Sequence, residues 1–438
     1  MRFIISSAYA LCVIGSACAQ ENWTQFRGPN AGVSDTPGLP VRWSTTENVK
    51  WSMPILGRGW SSPIVWGNRI FLTTVVKNGE CEEAKKGLYF GGERKGLPKE
   101  EHRWLVIALD RDTGKIVWER EAHKGLPKSA IHIKNSYASE TPVTDGERIY
   151  AYFGNQGIYC YDLEGKPIWS KPMDAMPTMF SWGTAASPVL HGDTLYIVND
   201  NEKASSLVAL DKLTGKQRWR VARDEKSNWA TPFIWKNDQR TELVLNGTKK
   251  IRSYDLAGNL LWEMQSASGI TIPTPLAANG LLYVGSGYVM DPNKPLVAIR
   301  PGAKGNITLE RDQDSSKLVA WRQKKIAPYN PSFLIDGDYL YVLYDQGFLS
   351  CFNAKTGVPI YERQRLQGQF TVSPWTYGGH IFCLNEDGTT FVIKAGSEFE
   401  VVGKNNLDEL CMSTPATTGT GLLIRTQTKL YMLKAKTP

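Results

Sequence analysis

A Ser or Thr followed by Pro recurs along this chain at regular intervals, and this repeat limits the possible folds more than any other feature. A Gly follows four or five residues after most of these prolines. The copies lie about 41 to 46 residues apart, except for two longer steps of about 79 and 58 residues, and such spacing is typical of repeat architectures. Ser332-Phe333 fills the one missing slot. The prolines are Pro63, Pro142, Pro188, Pro232, Pro275, Pro374 and Pro415.

Each repeat has the pattern of four short β-strands. In the clearest copy, the alternating run Thr194–Val198 is followed by Leu207–Leu210, by an Asp-x-x-Thr-Gly turn at Asp211–Gly215, and by a strand that contains Trp219. The Ser/Thr-Pro segment supplies the innermost strand. Alternating apolar runs bounded by Gly and Asp indicate strands, and a four-stranded unit of about 43 residues predicts a β-propeller.

The two ends of the repeat region predict how the propeller closes. The last copy, from Ser413 to Leu433, has three strands and no Trp strand. An orphan segment, Asn48–Pro54, has the character of the missing strand, and pairing the two leaves no sheet edge open. We therefore predict an all-β, eight-bladed propeller of four-stranded blades over residues 48–438, with insertions at about 77–103 and 291–316.

The tryptophans of the outermost strands are interpreted as scaffold residues. A flat indole can wedge between adjacent blades, while the Thr-Gly turn supplies a positive φ and side-chain hydrogen bonds. Trp321 is expected to fill this position in a fifth copy, and Tyr361 replaces it in the next. The first four copies carry Trp118, Trp169, Trp219 and Trp262.

The N-terminus has the pattern of a cleaved export signal. Arg2 precedes an apolar run, and Ala17-Cys18-Ala19 resembles an A-x-A cleavage site. We predict a signal peptide over residues 1–19 and an N-terminal extension over 20–47, so the protein is exported to the periplasm or the extracellular space. Lipidation at Cys18 would tether it to a membrane, but Gly15 stands where such signals prefer an apolar residue.

The remaining cysteines do not form a recognisable disulfide or metal framework. Five remain after Gln20, widely spaced, and no C-x-x-C motif is present. Cys160 and Cys351 occupy the strand position that Ala108 and Ala209 hold in other copies. A small side chain is expected there, so we predict buried, unreactive thiols.

Composition excludes two partner classes. The net charge is +8 and the basic residues are scattered, with the densest cluster between Lys85 and Arg103. A nucleic-acid surface would need a basic stripe with base-stacking aromatics, and none is seen. The mean hydropathy is −0.32, and nothing after the first twenty residues has the pattern of a membrane span.

The repeat resembles that of a known superfamily. Ala-x-Asp-x-x-Thr-Gly-x-x-x-Trp, at Ala108–Trp118 and Ala209–Trp219, is similar to the tryptophan-docking repeat of pyrroloquinoline-quinone (PQQ) propellers. That superfamily includes quinoprotein dehydrogenases and the non-catalytic assembly lipoprotein BamB. The segments Trp23–Asn30, Gly57–Pro63 and Lys134–Pro142 resemble secreted PQQ-like proteins of planctomycete-type bacteria.

The resemblance implies what an enzyme of this superfamily would need. Its dehydrogenases carry a Ca²⁺ site of carboxylate and amide oxygens, an Asp base, and usually adjacent cysteines beside the cofactor. No Cys-Cys pair occurs, and no spacing singles out Glu140, Asn135 or Asp200 as ligands. We therefore predict no cofactor, no metal and no catalytic residue. A PQQ- and Ca²⁺-dependent alcohol or sugar dehydrogenase is the alternative.

The residues just before each Ser/Thr-Pro segment are expected to surround one mouth of the central channel. Most blades offer an aromatic there, and exposed aromatics with polar neighbours are typical of binding sites. The insertion, with Leu88–Gly92 at its centre, is a second candidate. The expected partner of a monomeric scaffold is a protein or a polysaccharide at the cell envelope. Thr271 and Met412 complete the ring whose predicted ligand-binding members are Arg58, Trp60, Tyr137, Glu140, Trp182, Trp229, Tyr329 and Phe370.

Overall fold

A computed structural model describes residues 22–77, 84–88, 91–92 and 96–436. These residues form eight antiparallel sheets, each the blade of a propeller, and the predicted fold is confirmed. The signal-peptide prediction and Cys81 lie outside the described residues. Strand β1 (Val49–Pro54) comes first in the chain and belongs to the eighth blade.

The first four blades follow one another along the chain. Blade 1 comprises β2 (Ile64–Trp66), β3 (Arg69–Lys77), β4 (His102–Asp110) and β5 (Ile116–Gly125). Blade 2 comprises β6 (Val143–Thr144), β7 (Arg148–Tyr152), β8 (Ile158–Asp162) and β9 (Pro167–Lys171). Blade 3 comprises β10 (Val189–His191), β11 (Thr194–Asn199), β12 (Ser206–Asp211) and β13 (Gln217–Ala222). Blade 4 comprises β14 (Phe233–Lys236), β15 (Thr241–Asn246), β16 (Lys250–Tyr254) and β17 (Leu260–Gln265).

The other four blades complete the ring. Blade 5 comprises β18 (Leu276–Ala278), β19 (Leu281–Gly285), β20 (Leu296–Ile299) and β22 (Val319–Gln323); the short β21 (Gly305–Asn306) lies between the last two. Blade 6 comprises β23 (Leu334–Asp336), β24 (Tyr339–Tyr344), β25 (Phe348–Asn353) and β26 (Pro359–Arg365). Blade 7 comprises β27 (Trp375–Tyr377), β28 (His380–Leu384), β29 (Thr389–Lys394) and β30 (Val401–Asn406). Blade 8 comprises β31 (Ala416–Thr418), β32 (Gly421–Arg425), β33 (Lys429–Leu433) and β1.

The described helical structure is limited to two short 3₁₀ turns, Gly154–Gln156 and Met179–Ser181. Within the described ranges, no helix is long and apolar enough to cross a bilayer.

The predicted closure is present in the eighth blade. Strand β1 pairs antiparallel with β33, with Ser52 opposite Tyr431 and Met53 opposite Leu430. Trp51 and Met53 pack against a core cluster that contains residues of both blade 8 and blade 1. The outer edge of β33 is therefore covered by the chain's own N-terminal strand, which is how a closed propeller avoids an exposed edge.

The outer-strand tryptophans join each blade to the next, as predicted. Trp169 Nε1 donates to the Lys212 carbonyl oxygen (2.9 Å), and a Cβ added to Gly215 would lie 2.5 Å from the Trp169 ring. The turn requires Gly for a second reason, because Gly215 has a φ of +69°, a conformation that residues with a Cβ rarely adopt. The same arrangement of indole and turn Gly joins Trp51 to Gly114, Trp118 to Gly165, Trp219 to Gly258, and Trp321 to Gly357.

Trp262 packs between blades 4 and 5 as expected, but its partner differs. Its Nε1 donates to Glu242 Oε2 (2.7 Å), and the same oxygen accepts from Ser253 Oγ (2.6 Å). The reason lies in blade 5, where an insertion between β20 and β22 replaces the Thr-Gly turn on which Trp262 would otherwise lie. Strand β21 of that insertion pairs with β17 as a fifth strand of blade 4.

Both insertions lie within blades, but the second begins later than predicted. Residues 296–299, which fall inside the predicted 291–316, form the regular strand β20, so the extra residues lie between β20 and β22. The apolar run Leu296–Ile299 follows loop residues directly, so the sequence alone did not separate this strand from the insertion. The first insertion lies between β3 and β4, within the predicted limits 77–103.

The small strand position is opposite the outer aromatic residue. Cys160 pairs with Trp169 and Cys351 with Tyr361, just as Ala209 pairs with Trp219. Both thiols are buried and free, as predicted, and burial raises their pKa to about 12. A thiol of that pKa is almost entirely protonated at neutral pH and is a poor nucleophile.

Candidate functional site

The loops that lead into the innermost strands surround one mouth of the central channel. A cavity of about 270 Å³ lies at this mouth. We call this end the upper mouth and its cavity the aromatic cavity. It is lined by large aromatic side chains from four different blades together with serine, threonine and asparagine side chains. The aromatic lining residues of these blades are Trp60, Trp182, Trp229 and Tyr329.

Two of the indoles are fixed by hydrogen bonds to backbone. Trp229 Nε1 donates to the Gly183 carbonyl oxygen (2.7 Å), and Trp60 Nε1 donates to that of Lys134 (2.9 Å). With their N–H groups engaged, these rings offer the cavity an apolar surface rather than a donor. Aromatic rings held in one orientation bind a ligand at a low entropic cost.

A line of rings runs from the surface into the cavity. The Phe180 ring is 59% exposed, and its centroid lies 5.4 Å from that of Trp182, which lies 5.7 Å from that of Trp229. Phe180 and Ser181 both have positive φ, at 50° and 57°. Non-glycine residues adopt this conformation at an energetic cost, and such strain concentrates at functional sites.

A buried ion pair crosses the upper mouth. Lys134 Nζ lies 2.6 Å from Glu386 Oε1, and the two side chains are 15% and 1% exposed. The other oxygen of Glu386 accepts from the backbone N–H of Gly87 (2.6 Å). Gly87 belongs to the first insertion, so described residues 84–88 extend from blade 7 across the mouth, where Leu88 lines the cavity. Tyr89 and Phe90 lie outside the described residues.

The Ser/Thr-Pro repeat forms the wall of the channel. The Thr141 hydroxyl accepts a hydrogen bond from the backbone N–H of Ser62 (3.0 Å), one blade earlier, and Ser187 accepts from Thr141 in turn (2.9 Å). The repeat therefore places a hydroxyl belt around the axis that joins neighbouring blades. Further links of this kind among the described residues run from Ser187 to Thr231, Thr274 to Ser332, Ser332 to Ser373, and Ser373 to Thr414.

The structure brings half of the predicted ligand-binding residues together. Trp60, Trp182, Trp229 and Tyr329 line the aromatic cavity, as does Met412. Arg58 and Tyr137 instead line a neighbouring pocket beneath the first insertion, where Tyr137 Oη donates to the Ser129 carbonyl oxygen (2.7 Å). The remaining predicted residues lie behind the wall; these are Glu140, Phe370 and the ring member Thr271.

Burial separates these last residues from any ligand in the cavity. Phe370 is 0% exposed and packs against Phe391 in the core between blades 6 and 7. Thr271 donates to the Asn246 carbonyl oxygen, and Glu140 accepts from the Thr184 hydroxyl (2.5 Å). A position just before the Ser/Thr-Pro segment predicts at which end of the channel a residue lies. It does not predict whether the side chain faces the channel or the core.

Glu140 is expected to make stability depend on pH. Burial raises its pKa to about 7, and the hydrogen bond from Thr184 opposes this shift. A carboxyl group whose pKa is higher in the folded state favours folding when protonated, so stability falls as pH rises from about 4.5 to about 7 and then levels off. Glu140→Gln should remove about 2–3 kcal/mol of this fall, at 1.36 kcal/mol for each pKa unit.

Urea unfolding at pH 5 and pH 8 measures the effect in the wild type and the variant. Asp345, whose pKa is raised by burial to about 6, remains in both proteins and contributes equally. An unchanged difference between the two pH values in Glu140→Gln would contradict the assignment.

Comparisons with known proteins point to one superfamily. The sequence model described as outer membrane protein assembly factor BamB matches residues 101–290. BamB from Moraxella catarrhalis superposes with a TM-score of 0.60 at 13% identity, over 89% of this chain and 97% of that one. Over residues 101–290 the chain is therefore similar to this family, and the superposition shows a shared propeller fold. The finer resemblance to planctomycete proteins stays a prediction.

Other proteins similar to this chain differ in kind. A computationally designed protein, Ika8, superposes with a TM-score of 0.54 at 10% identity, over 87% of this chain and 98% of its own. A polyvinylalcohol dehydrogenase of Pseudomonas sp. is 20% identical over 363 residues, which cover 69% of this chain. The chain spans about half the length (51%) of that curated relative. At these identities the solved structures are informative about the fold alone.

The lining of the aromatic cavity does not fit a calcium-bound quinone. The aromatic cavity has no carboxylate among its lining residues. The nearest acids already have internal partners: Glu386 binds Lys134 and Thr371, and Asp345 accepts from the backbone N–H groups of Tyr329 and Asn330. In the described part of the chain, no cluster of three or more His, Cys, Asp or Glu side chains could hold a metal.

Sequence reasoning missed several residues of the candidate site. Lys134 and Glu386 lie 252 positions apart in the chain, and nothing in either local sequence predicts their contact. Phe26 also lines the aromatic cavity, from the N-terminal segment at the opposite end of the channel. That segment was interpreted only as an extension before the propeller, although the Trp23–Asn30 motif was a usable signal.

Proposed function

We propose that this chain is a non-catalytic binding or assembly scaffold of the cell envelope, which receives a protein or polysaccharide ligand at the aromatic cavity. One observation carries the proposal: fixed aromatic rings from several blades converge on a cavity whose lining has no carboxylate. Such a site can bind apolar groups and sugar rings by contact and stacking. The basic side chains of its lining are His132 and Lys134, and Lys134 is held in an ion pair with Glu386.

The aromatic line from the surface supports the same proposal. Phe180 stands exposed at the upper mouth and leads through Trp182 to the cavity, so a ligand could contact both the face and the interior. The match to a family named for outer membrane protein assembly agrees with an envelope scaffold. Export to the periplasm or extracellular space, and a monomeric state, remain parts of this proposal.

A PQQ- and Ca²⁺-dependent dehydrogenase is the second candidate. The similarity to a polyvinylalcohol dehydrogenase favours it, although that relative is only 20% identical. The aromatic cavity has too little positive charge to favour binding of the anionic quinone PQQ. Lys134 is the one lysine or arginine among the described lining residues, and it is already paired with Glu386.

Direct binding measurements separate the two functions. Purified protein is titrated with PQQ and Ca²⁺, followed by absorbance and thermal shift, and assayed for dye-linked alcohol oxidation. We expect no saturable signal. In parallel, immobilised protein is exposed to purified outer-membrane proteins and to cell-wall polysaccharide. Trp182→Ala and Trp229→Ala should each weaken the retained ligand by about tenfold, as for truncated aromatic anchors in other binding sites.

Tyr339→Ala is the matched control, because Tyr339 is a half-buried aromatic at the opposite end of blade 6. It should bind as the wild type does. Saturable PQQ binding with alcohol oxidation would overturn the scaffold function. Equal ligand retention by the wild type and both Trp variants would remove the aromatic cavity as its site.

A further inference from the structure

The N-terminal segment closes the opposite end of the channel, the lower mouth. Residues 22–34 run across it from blade 1, where Trp23 bridges Val65, to blade 7, where Val33 bridges Thr376. The carbonyl oxygen of Thr24 accepts from the backbone N–H of Thr144 in blade 2 (3.0 Å). The segment is thus fixed to blades 1, 2 and 7.

A second cavity, of about 410 Å³, remains between this segment and blades 3 to 5. We call it the lower cavity. The blades supply mainly apolar walls from the first residues of their innermost strands. The charged or titratable lining residues are Arg27, His191 and Lys236, and the lining contains no carboxylate. The lower cavity therefore combines apolar walls with positive charge. Its apolar walls include Pro188, Leu190, Pro232, Phe233 and Pro275.

Arg27 is the residue of this cavity that most needs a partner. Its side chain is 2% exposed, and Nη2 donates to the Phe333 carbonyl oxygen (2.8 Å). Nε and Nη1 are buried and have no hydrogen-bond partner. Desolvation lowers the pKa of Arg27 to about 9, with no opposing contribution from a nearby carboxylate. Burying a cation without a counter-ion costs several kcal/mol.

Two other buried arginines show how this chain satisfies a guanidinium. Arg223 forms a two-point pair with Asp200, at 2.8 and 2.9 Å. Arg425 has no acidic partner, but its Nη1 donates to the carbonyl oxygens of Ser61 and Thr73 and to the Ser61 hydroxyl. Arg27 has neither arrangement.

The backbone of Arg27 carries a second cost. Its φ is +61°, in the left-handed region that non-glycine residues seldom adopt. Gly28, with φ +67°, follows Arg27, and the Trp23 ring packs directly against Gly28 and fixes the turn. A strained backbone that places an unpaired buried cation beside a cavity indicates a function for that residue.

We propose that the lower cavity binds an organic carboxylate with an apolar body, and that Arg27 is the residue that binds its charge. A carboxylate accepts two parallel hydrogen bonds from one edge of a guanidinium, and Phe333 occupies only one N–H of Nη2, so the second N–H of Nη2 and the unpartnered nitrogen beside it, Nε or Nη1, form the edge left for a ligand. The apolar walls match a hydrocarbon or aromatic body, and the cavity is larger than an inorganic ion requires. The lower cavity lies at the opposite end of the channel from the aromatic cavity, with Phe26 lining both, and its ligand does not depend on the function proposed for the aromatic cavity.

Octanoate is the probe, with octanamide as the neutral match and inorganic phosphate as the anion without an apolar body. Binding to the full exported chain is measured by calorimetry at constant ionic strength. We expect saturable octanoate binding by the wild type, a loss of at least tenfold in Arg27→Gln, and a smaller loss in Arg27→Lys, which keeps the charge but not the two-point fork. Lys166→Gln, an exposed lysine in the turn between β8 and β9 and outside the cavity, removes the same charge and should change affinity by no more than about twofold.

Thermal unfolding of each ligand-free variant separates loss of binding from loss of fold. A folded Arg27→Gln that binds octanoate as the wild type does would overturn the proposal. So would octanamide or phosphate binding as tightly as octanoate, or no octanoate binding up to 10 mM, roughly the weak limit of specific affinity. If Arg27→Gln proves unfolded, competition experiments with Arg27→Lys decide alone. Octanamide that fails to displace bound octanoate supports a charge-specific site. Octanamide that displaces it as well as unlabelled octanoate does overturns the proposal.

Discussion

A chain that begins at Leu56 is expected to be much less stable than one that begins at Asn48, because both lack the buried Trp23 and Trp43 but only the first also lacks β1. The two truncations differ only by residues 48–55, which contain β1. Without β1, the edge of β33 is open and the turn at Gly114 loses the Trp51 indole. Loss of a fully buried Trp costs about 3–5 kcal/mol; Trp51 is half-buried and contributes less, but the open edge and the lost packing of Met53 add to its loss, and a domain of this kind has about 5–15 kcal/mol in total.

Urea unfolding followed by tryptophan fluorescence, together with the hydrodynamic radius, measures the difference. Both truncated chains lack the segment over the lower mouth, so their comparison isolates the closing strand. Adding a synthetic peptide of residues 48–55 should restore part of the lost stability if the open edge is the cause. Equal unfolding midpoints for the two chains would show that closure through β1 does not hold the ring together.

Gly215→Ala is expected to destabilise the propeller by about 3 kcal/mol or more, whereas Gly192→Ala costs only about 1–2 kcal/mol. Both glycines have a positive φ, +69° and +57°, so the backbone strain from a Cβ is similar. At Gly192 the Cβ meets nothing within 4 Å, but at Gly215 it lies 2.5 Å from the Trp169 ring. The difference between the variants therefore measures the contact between indole and turn.

A double-mutant cycle makes this prediction specific. In a Trp169→Ala background the obstructing ring is gone, so Gly215→Ala should cost no more than Gly192→Ala does in the wild type. The coupling between the two sites should then exceed about 1 kcal/mol. Additive effects would mean that Trp169 moves aside freely and that the turn does not depend on its close approach.

The repeat itself made the fold predictable. The Ser/Thr-Pro spacing, the Thr-Gly turn and the outer Trp are local patterns, and each has one physical task in every blade. Prediction became inexact where a blade departs from the pattern: the insertion of blade 5 removed the turn, and Glu242 replaced it as the partner of Trp262. Such a replacement depends on a contact between distant strands, which no local pattern encodes.

The site was less predictable than the fold for a related reason. The blade order identified which loops meet at the upper mouth, and four of the eight predicted residues line the cavity there. Whether a side chain faces the channel or the core depends on the local twist of its loop, as Phe370 and Glu140 illustrate. The contributions of Lys134, Glu386 and Phe26 arise from segments that cross the mouths, and their partners are set only by the complete ring.

The hydrogen bond between Lys436 and Asn48 joins residues 388 positions apart. During synthesis, the N-terminal residues emerge first, yet their partners in blades 7 and 8 are made last. Strand β1 and the segment over the lower mouth must therefore wait, unpaired, until almost the whole chain has been delivered. A propeller closed in this way has a long vulnerable interval before it is finished, and its yield in the cell should depend on how well that waiting segment is protected from proteases and from pairing with other chains.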